Sequence, residues 1–137
     1  MAPTIRVAEE ELKFGRDHVC LHNGCPFTGV AVEEFENGGV RSEISYLNGV
    51  QSGLSRDWYP SGQLRSESEF LDNSLHGESQ EWFESGALKE KATYETGIEL
   101  YRSQWAEDGT LLEQRSLPKS DFRYGLLSKW RESDSGH

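Results

Sequence analysis

The sequence is short of basic residues, and this shortage limits its partners. It has 14 Lys and Arg against 24 Asp and Glu, so the formal net charge is −10. Nucleic acids and anionic membrane surfaces are bound chiefly through basic side chains, so neither is expected as a partner. A basic protein is favoured instead, because complementary charge speeds the encounter of two proteins.

Cysteines and long apolar runs are also scarce. Cys20 and Cys25 are the two cysteines, too few for a disulfide framework. No apolar run approaches the ~20 residues that a membrane-spanning helix needs, and the acidic residues 1–13 do not resemble a signal peptide. We therefore expect a single cytoplasmic domain.

Hydrophobic residues make up 34% of the chain and charged residues 28%, which is thin for a thick two-layer core. Aromatic residues make up 11%, which is high for a disordered chain. An extended array, in which each unit packs only on its neighbours, fits both values.

The sequence does contain an internal repeat with a period of 24 residues. Gly53 returns as Gly77, Trp58 as Trp82, and Phe70 as Tyr94. An earlier copy begins at Gly29, and a degraded fourth copy follows the clear ones. A fixed period in this range indicates a repeat array.

Each repeat is interpreted as one β-hairpin followed by a turn. Residues 59–63 (YPSGQ) predict a three-residue hairpin loop, because Pro60 presets φ at the first turn position and Gly62 suits the left-handed one. In this register Tyr59 lies opposite Gln63, and Trp58 lies opposite Leu64. Residues 47–49 and their equivalents supply the turns between hairpins.

Strict alternation along the strands assigns the second hairpin's side chains to two faces. The face taken to be buried or half-buried holds Leu54, Arg56, Trp58, Leu64, Ser66, Ser68 and Phe70. The opposite face is acidic and holds Ser55, Asp57, Tyr59, Gln63, Arg65, Glu67 and Glu69. An aromatic row on that second face recurs as Phe35, Tyr59 and Phe83 and stops at Ala106.

The predicted fold class is all-β: an elongated single-layer antiparallel sheet of tandem β-hairpin repeats of about 24 residues each. Residues 1–22 would form an N-terminal cover, residues 23–117 four hairpin repeats, and residues 118–137 a C-terminal half-repeat and tail. Residues 8–12 could instead form a short helical turn. The half-repeat rests on the spacing from Gly125 to Trp130, which equals that from Gly53 to Trp58.

The recurring pattern of Gly, Trp-aromatic, Ser-Gly and Gln-Leu resembles the MORN-repeat variant. The resemblance covers about residues 24–112, and residues 26–29 look like the opening of that family's first repeat. Bacterial proteins that consist of little else are grouped with antitoxins and immunity-type proteins of toxin–antitoxin systems. The resemblance therefore implies a protein that binds a cognate toxin and neutralises it by occluding its surface.

Two other functions stay open. The chain could be a repeat scaffold or oligomerisation module with no toxin partner, because open sheet edges can pair with another copy. It could also bind lipid headgroups, as some MORN-repeat proteins are thought to do, although the net charge of −10 opposes this.

The candidate partner-binding residues lie on the predicted acidic face. Tyr59 and Phe83 would be anchors, because aromatic side chains dominate the binding energy of interfaces. The acids that would steer a basic toxin are Glu43, Asp57, Glu67 and Glu69, and Phe35 extends the aromatic row.

Candidate chemistry is sparse. His18, Cys20, His22 and Cys25 would share one face around the Asn23-Gly24 turn, and two nitrogens with two sulfurs suit tetrahedral zinc. Their spacing is not the usual finger pattern, so packing is preferred, and no metal or cofactor is expected. His76-Gly77-Glu78 lacks the companion motif of zinc deaminases. No nucleophile, base and orienting group can be assembled, so we do not expect an enzyme.

Overall fold

The computed structural model describes residues 4–135, which are mostly β-strand. The strands are β1 (Arg6–Ala8), β2 (Leu12–Phe14), β3 (Cys20–His22), β4 (Cys25–Pro26), β5 (Gly29–Glu34), β6 (Val40–Leu47), β7 (Val50–Trp58), β8 (Leu64–Leu71), β9 (Ser74–Trp82), β10 (Leu88–Glu95), β11 (Ile98–Trp105) and β12 (Leu111–Ser116). A 3₁₀ turn spans Glu9–Glu11, and helix α1 spans Phe122–Ser135. No helix within residues 4–135 combines the length and apolar character needed to cross a membrane.

Nine of these strands form one long sheet in the order β1-β5-β6-β7-β8-β9-β10-β11-β12. From β5 to β12 each strand pairs antiparallel with the next along the chain, so the predicted sheet of tandem hairpins is confirmed. At one edge, β1 pairs with β5 in parallel, which the antiparallel prediction did not include.

The hairpin loops have the predicted form. The Tyr59 N–H donates to the Gln63 carbonyl at 2.9 Å, and the Gly62 N–H donates to the Tyr59 carbonyl at 2.9 Å. Trp58 lies opposite Leu64, as predicted, and Trp82 lies opposite Leu88 in the next hairpin. The loop chemistry therefore sets the register of each hairpin.

The turns between hairpins are two-residue turns in which both residues have positive φ. Asp72 has φ 48° and Asn73 has φ 68°, values typical of a type I′ turn. The second residue of each such turn also donates its N–H to an earlier carbonyl: Gly49 to Phe27, Asn73 to Gln51 and Gly97 to Leu75, each at 2.8 Å. Each turn is thereby tied to the start of its own repeat.

The prediction that side chains alternate strictly between the two faces was wrong beyond the hairpin loops, because every hairpin carries a β-bulge there. In the second hairpin Trp58 pairs with Leu64 but Asp57 pairs with Ser66, so Arg65 is an extra residue. The register shifts at the same position in the other hairpins, where the extra residues are Arg41, Lys89 and Leu112. An extra residue exchanges the two faces for the rest of the strand.

The bulge therefore divides the predicted acidic face. Glu67 lies opposite Arg56, and Glu69 lies opposite Leu54. Asp57 shares the other face with Ser66, and Ser55 shares it with Ser68. The three acids predicted to lie together are thus on two sides of the sheet.

The N-terminal residues pack over the first hairpin. Strands β2, β3 and β4 form a separate three-stranded sheet. The Cys20 N–H donates to the Gly49 carbonyl at 2.7 Å, and the Phe27 N–H donates to the Cys20 carbonyl at 2.9 Å. Val7, Cys20 and Phe27 form a buried cluster, with Leu12 and Tyr46 packed against it. This cover includes both extended strands and the helical turn that was considered as an alternative.

The predicted C-terminal half-repeat is wrong, because residues 122–135 form helix α1. The helix contains no Val, Ile or Thr, the β-branched residues that favour strands. Asp121 precedes it, and its carboxylate accepts the Arg123 backbone N–H at 2.9 Å. Such a side-chain cap favours a helix start. The glycine-to-tryptophan spacing at Gly125 is therefore not a repeat signal.

Candidate partner-binding surface

One long side of the sheet is formed by the four hairpin loops, residues 35–39, 59–63, 83–87 and 106–110, and we call it the loop edge. Phe35, Tyr59 and Phe83 occupy the first position of three successive loops, and each donates its N–H to the fifth loop residue. Successive loops are two strands apart, which is about 10 Å. All three rings are half-buried. The predicted aromatic row is therefore present along this edge.

The rings of the row are held by contacts within the sheet. The Tyr59 hydroxyl donates to the Trp82 carbonyl at 2.8 Å. The Lys89 ammonium lies 5.5 Å from the centre of the Phe83 ring, and the Arg41 guanidinium lies 5.7 Å from that of Phe35. Arg41 and Lys89 are bulge residues, so the bulges that exchange the faces also place cations against the aromatic rings.

The predicted steering acids are largely neutralised inside the chain. Asp57 accepts two hydrogen bonds from the Arg65 guanidinium, at 3.1 and 2.8 Å, and one from the Ser66 hydroxyl at 2.7 Å. Burial raises the pKa of Asp57, but these hydrogen bonds outweigh it, and the pKa is lowered overall. Arg56 pairs with Glu67 at 2.6 Å, and Arg6 pairs with Glu43 at 3.1 Å.

Uncompensated acids are found instead on the loop edge. Glu36, Glu84 and Glu107 are exposed, and within residues 4–135 none of them forms an ion pair. Asp108 accepts the Thr110 N–H at 2.9 Å, and hydrogen bonds with the side chain and the backbone of Thr110 lower the pKa of Asp108. Sequence reasoning missed these acids, although Glu36, Glu84 and Glu107 share the second loop position. Of the predicted steering acids, exposed Glu69 is the one without an ion pair in the described chain.

The negative charge continues into a groove at the N-terminal end of the sheet. This open groove of about 780 Å³ is lined partly by Glu9, Glu10, Glu33 and Glu34. Burial, followed by a hydrogen bond with Glu33 and repulsion from it, raises the pKa of Glu9. A carboxylate crowded by another in this way is a site of concentrated negative potential. The groove and the loop edge thus present an excess of acids, although Arg6 also lines the groove and Arg41 pairs with Glu33 at 3.6 Å.

The four candidate zinc ligands are not brought together as a metal site. His22 lies opposite Cys25 across the Asn23-Gly24 turn, but Cys20 is fully buried while Cys25 is exposed. His18 lies in a turn with φ 60°. Within residues 4–135, no group of three or more His, Cys, Asp and Glu side chains is placed to hold a metal ion. The His22 ring instead packs edge-on against Phe27, and burial raises the pKa of the Cys20 thiol.

The remaining histidine motif has a local structural role. The Nδ1 atom of His76 accepts the backbone N–H of Thr96 at 3.1 Å. The Thr28 hydroxyl accepts the Asn48 N–H at 2.9 Å in the equivalent place two turns earlier. His76 therefore supports a turn between hairpins.

Comparison with known proteins agrees with the hairpin boundaries. A family model described as MORN repeat variant matches residues 27–48, 51–72 and 75–96, which correspond to the hairpins β5–β6, β7–β8 and β9–β10. No curated protein matches the chain. A solved structure, the crystal structure of the GtfA/B complex bound to UDP and GlcNAc, is similar with a TM-score of 0.38 and 16% identity. The match covers 88% of this chain but spans only 29% of that one, and so weak a likeness supports no conclusion about this protein.

Proposed function

We propose that this chain, which contains three tandem MORN repeat variants, is a cytoplasmic antitoxin or immunity protein that neutralises a basic protein toxin. The observation that carries the proposal is the loop edge, where three aromatic rings at equivalent positions lie beside uncompensated acids. The toxin would be blocked by occlusion of its surface. No catalytic step and no cofactor are part of this function.

The aromatic row is suited to anchoring a protein. Half-buried Phe35, Tyr59 and Phe83 leave part of each ring free, while their contacts with Arg41, Trp82 and Lys89 hold them in place. Anchors that are ordered before binding lose less conformational entropy when the complex forms. Aromatic side chains at the centre of an interface typically carry much of its binding energy.

The acids beside the row would act mainly on the rate of encounter. Glu36, Glu84 and Glu107 form no ion pair within the described residues. Exposed charges of this kind increase association rates with an oppositely charged protein, and salt screens the effect. We assign steering to these loop acids and Glu69, whereas Asp57 and Glu67 stabilise the sheet through Arg65 and Arg56.

The function is tested first by co-expression. A neighbouring open reading frame should be toxic when expressed alone and tolerated when this protein is co-expressed. The two proteins should then copurify as a complex. If no neighbouring frame is toxic, or if no complex forms, the proposal is wrong.

The binding surface is tested with matched variants of that complex. Phe35→Ala with Phe83→Ala should weaken binding by about 10- to 100-fold, measured by calorimetry. Phe14→Ala, a truncation of a ring that is 62% exposed and far from the loops in sequence, is the control and should leave affinity unchanged. Equal losses for both would exclude the loop edge as the anchor.

The steering role has its own pair of variants. Glu36→Gln with Glu84→Gln should slow association at low salt and leave dissociation nearly unchanged. Asp17→Asn with Asp72→Asn removes the same charge from exposed positions outside the loop edge. Similar slowing by both pairs would mean that net charge, rather than the loop acids, steers the toxin.

A further inference from the structure

Strand β12 (Leu111–Ser116) is an open edge of the nine-stranded sheet. It is the last strand in the sheet order, and β11 is its one partner among the described residues. All six of its residues are exposed, so helix α1 leaves the strand uncovered. Such an edge presents unpaired N–H and C=O groups to another strand.

The hydrogen bonds to β11 show which backbone groups are free. The Leu117 N–H donates to the Leu100 carbonyl at 2.8 Å, and the register then places Ser116 opposite Tyr101 and Gln114 opposite Ser103. Bonded and non-bonded pairs alternate along an antiparallel ladder. The N–H and C=O groups of Gln114 and Ser116 therefore point away from β11, towards the free edge.

The side chains on this strand complement a second copy of the same strand. Within one chain Glu113 pairs with Arg115 at 2.8 Å. In an antiparallel pair with a two-fold axis at Gln114, each Gln114 would bond to the other, and Glu113 would lie opposite Arg115 of the second copy, so that one pair within each chain would be exchanged for two between the copies. Both pairs of opposite charge would sit at non-hydrogen-bonded positions, where side chains are closest. Leu111 and Leu112, which are 50% and 65% exposed, would lie beside the end of the other strand.

We propose that two copies of this chain associate through β12 in that register, so that their sheets join into one continuous sheet. The opposite edge is less suited to this role. Strand β1 has three residues, and its central residue Val7 is buried in the N-terminal cluster. Short edge strands are among the features that prevent edge pairing.

Sedimentation velocity over a range of concentrations measures the association. The wild-type chain should shift from its monomer mass of 15.5 kDa towards twice that value. Glu113→Arg and Arg115→Glu, each alone, should lower the association constant by about tenfold or more, because each replaces two attractions with two repulsions. A wild-type chain that stays monomeric throughout, or single variants that associate as the wild type does, would overturn the proposal.

Mixing the two single variants separates the interface from any effect on folding. In a mixed dimer of one Glu113→Arg chain and one Arg115→Glu chain, position 113 of each copy again faces a residue of opposite charge at position 115 of the other. The mixture should therefore associate where each variant alone does not. A mixture that remains monomeric would exclude this register.

A backbone variant provides an independent readout. Gln114→Pro removes the central free N–H, which does not bond to β11, so the dimer should be lost. Gln114→Ala, which also removes the side-chain hydrogen bond to the Tyr101 hydroxyl but keeps the N–H, is the matched control and should still dimerise. A dimer that survives Gln114→Pro would contradict pairing through β12. Toxin binding at the loop edge does not enter any of these measurements, so the two proposals can fail separately.

Discussion

The two ends of the sheet differ in whether the rest of the chain covers them. At the N-terminal end, β1 and the three-stranded sheet β2–β4 cover the first hairpin, and Val7, Cys20 and Phe27 form a buried cluster there. At the C-terminal end, β12 is exposed along its whole length, and the chain leaves the sheet to form helix α1. The N-terminal end therefore adds a buried apolar cluster, whereas the C-terminal end leaves backbone N–H and C=O groups of β12 free to pair with another strand.

The two ends also differ in charge. The N-terminal groove gathers Glu9, Glu10, Glu33 and Glu34, of which Glu33 alone has an ion-pair partner among the described residues, Arg41. At the C-terminal end the acids are matched by arginines in pairs that include Arg115 with Glu99, Arg123 with Asp121 and Arg131 with Glu95. The contrast suggests that a basic partner and a second copy would use different parts of the molecule. Four experiments test the contrast, in order of decreasing effect.

The largest effect is expected from truncating the N-terminal cluster. Phe27 is 3% exposed and contacts both His22 and Tyr46. Phe27→Ala should lower the free energy of unfolding by about 3–5 kcal/mol, because it removes a buried ring and leaves a cavity. Chemical denaturation measures this loss.

The matching change at the other end is Leu127→Ala. Leu127 is fully buried, so its truncation should cost about 2–3 kcal/mol, but mainly in the docking of α1. Hydrogen exchange should then be faster in α1 and unchanged in β5–β8. Equal exchange throughout the sheet would show that both ends unfold as one unit, and the contrast between them would not hold.

The next test compares one glycine position in two turns. Gly49 and Gly97 are the second residues of equivalent turns, with φ 85° and 79°. A Cβ at Gly49 would lie 2.2 Å from Val19 Cγ1 and 3.0 Å from the Cys20 carbonyl oxygen, whereas at Gly97 the nearest atom is Ser74 Cβ at 4.0 Å.

Gly97→Ala should therefore cost about 1 kcal/mol for the left-handed backbone alone. Gly49→Ala should cost about 3 kcal/mol, because it adds a clash with the N-terminal cover. Thermal unfolding of the two variants measures the difference. If Gly49→Ala and Gly97→Ala lower the stability equally, the N-terminal cover does not contact the turn at Gly49 closely enough to clash with a Cβ.

A smaller contrast is expected between two tryptophans with the same spacing from glycine. Trp82 is half-buried and lies opposite Leu88 in a hairpin, whereas Trp130 is 41% exposed on α1. Trp82→Ala should cost about 2 kcal/mol, and Trp130→Ala should stay within about 0.5 kcal/mol of the wild type. Comparable costs measured by denaturation would mean that Trp130 packs as a repeat residue does.

The smallest effect concerns pH, which should act in opposite directions at the two ends. Burial and Glu33 raise the pKa of Glu9 above its ordinary 4.5, so its stabilising contribution is present below 4.5 and is lost as the pH rises through the folded pKa. The hydrogen bonds from Arg131 lower the pKa of Glu95, so its contribution is present above 4.5 and is lost as the pH falls through the folded pKa.

Glu9→Gln should therefore raise the melting temperature at neutral pH, whereas Glu95→Gln should lower it. Each difference from the wild type should shrink towards strongly acidic pH, where both carboxyls are protonated in either state. Melting curves across this range measure both. Shifts of the same sign at neutral pH would contradict the assignment of the two ends.

Much of the fold could be predicted because its signals are local. Pro60 and Gly62 specify a hairpin loop whatever surrounds them, and Asn48-Gly49 specifies a turn with positive φ at both residues. The period of 24 residues then places each hairpin next to its neighbour. The aromatic row could be predicted from the same 24-residue period, because Phe35, Tyr59 and Phe83 share one loop position.

The division of the acidic face could not be predicted from alternation. The extra residue Arg65 pairs Asp57 with Ser66, and this reverses the side on which Glu67 and Glu69 lie. A one-residue change in pairing exchanges every side chain beyond it, yet the sequence around Arg65 is compatible with a regular strand. Helix α1 was missed for the opposite reason: its Gly125-to-Trp130 spacing imitates a repeat, although Asp121 and the lack of β-branched residues were available signals.

By itself, the sequence determined the repeat, the hairpins and their order in the sheet, because turn residues act on their own backbone and neighbouring strands pair over short distances. Only the tertiary structure decided which acids are neutralised by arginine, which face each one occupies, and which edge of the sheet is covered. Those features depend on the bulges and on contacts between residues far apart in the chain, such as Cys20 with Gly49 and Glu95 with Arg131.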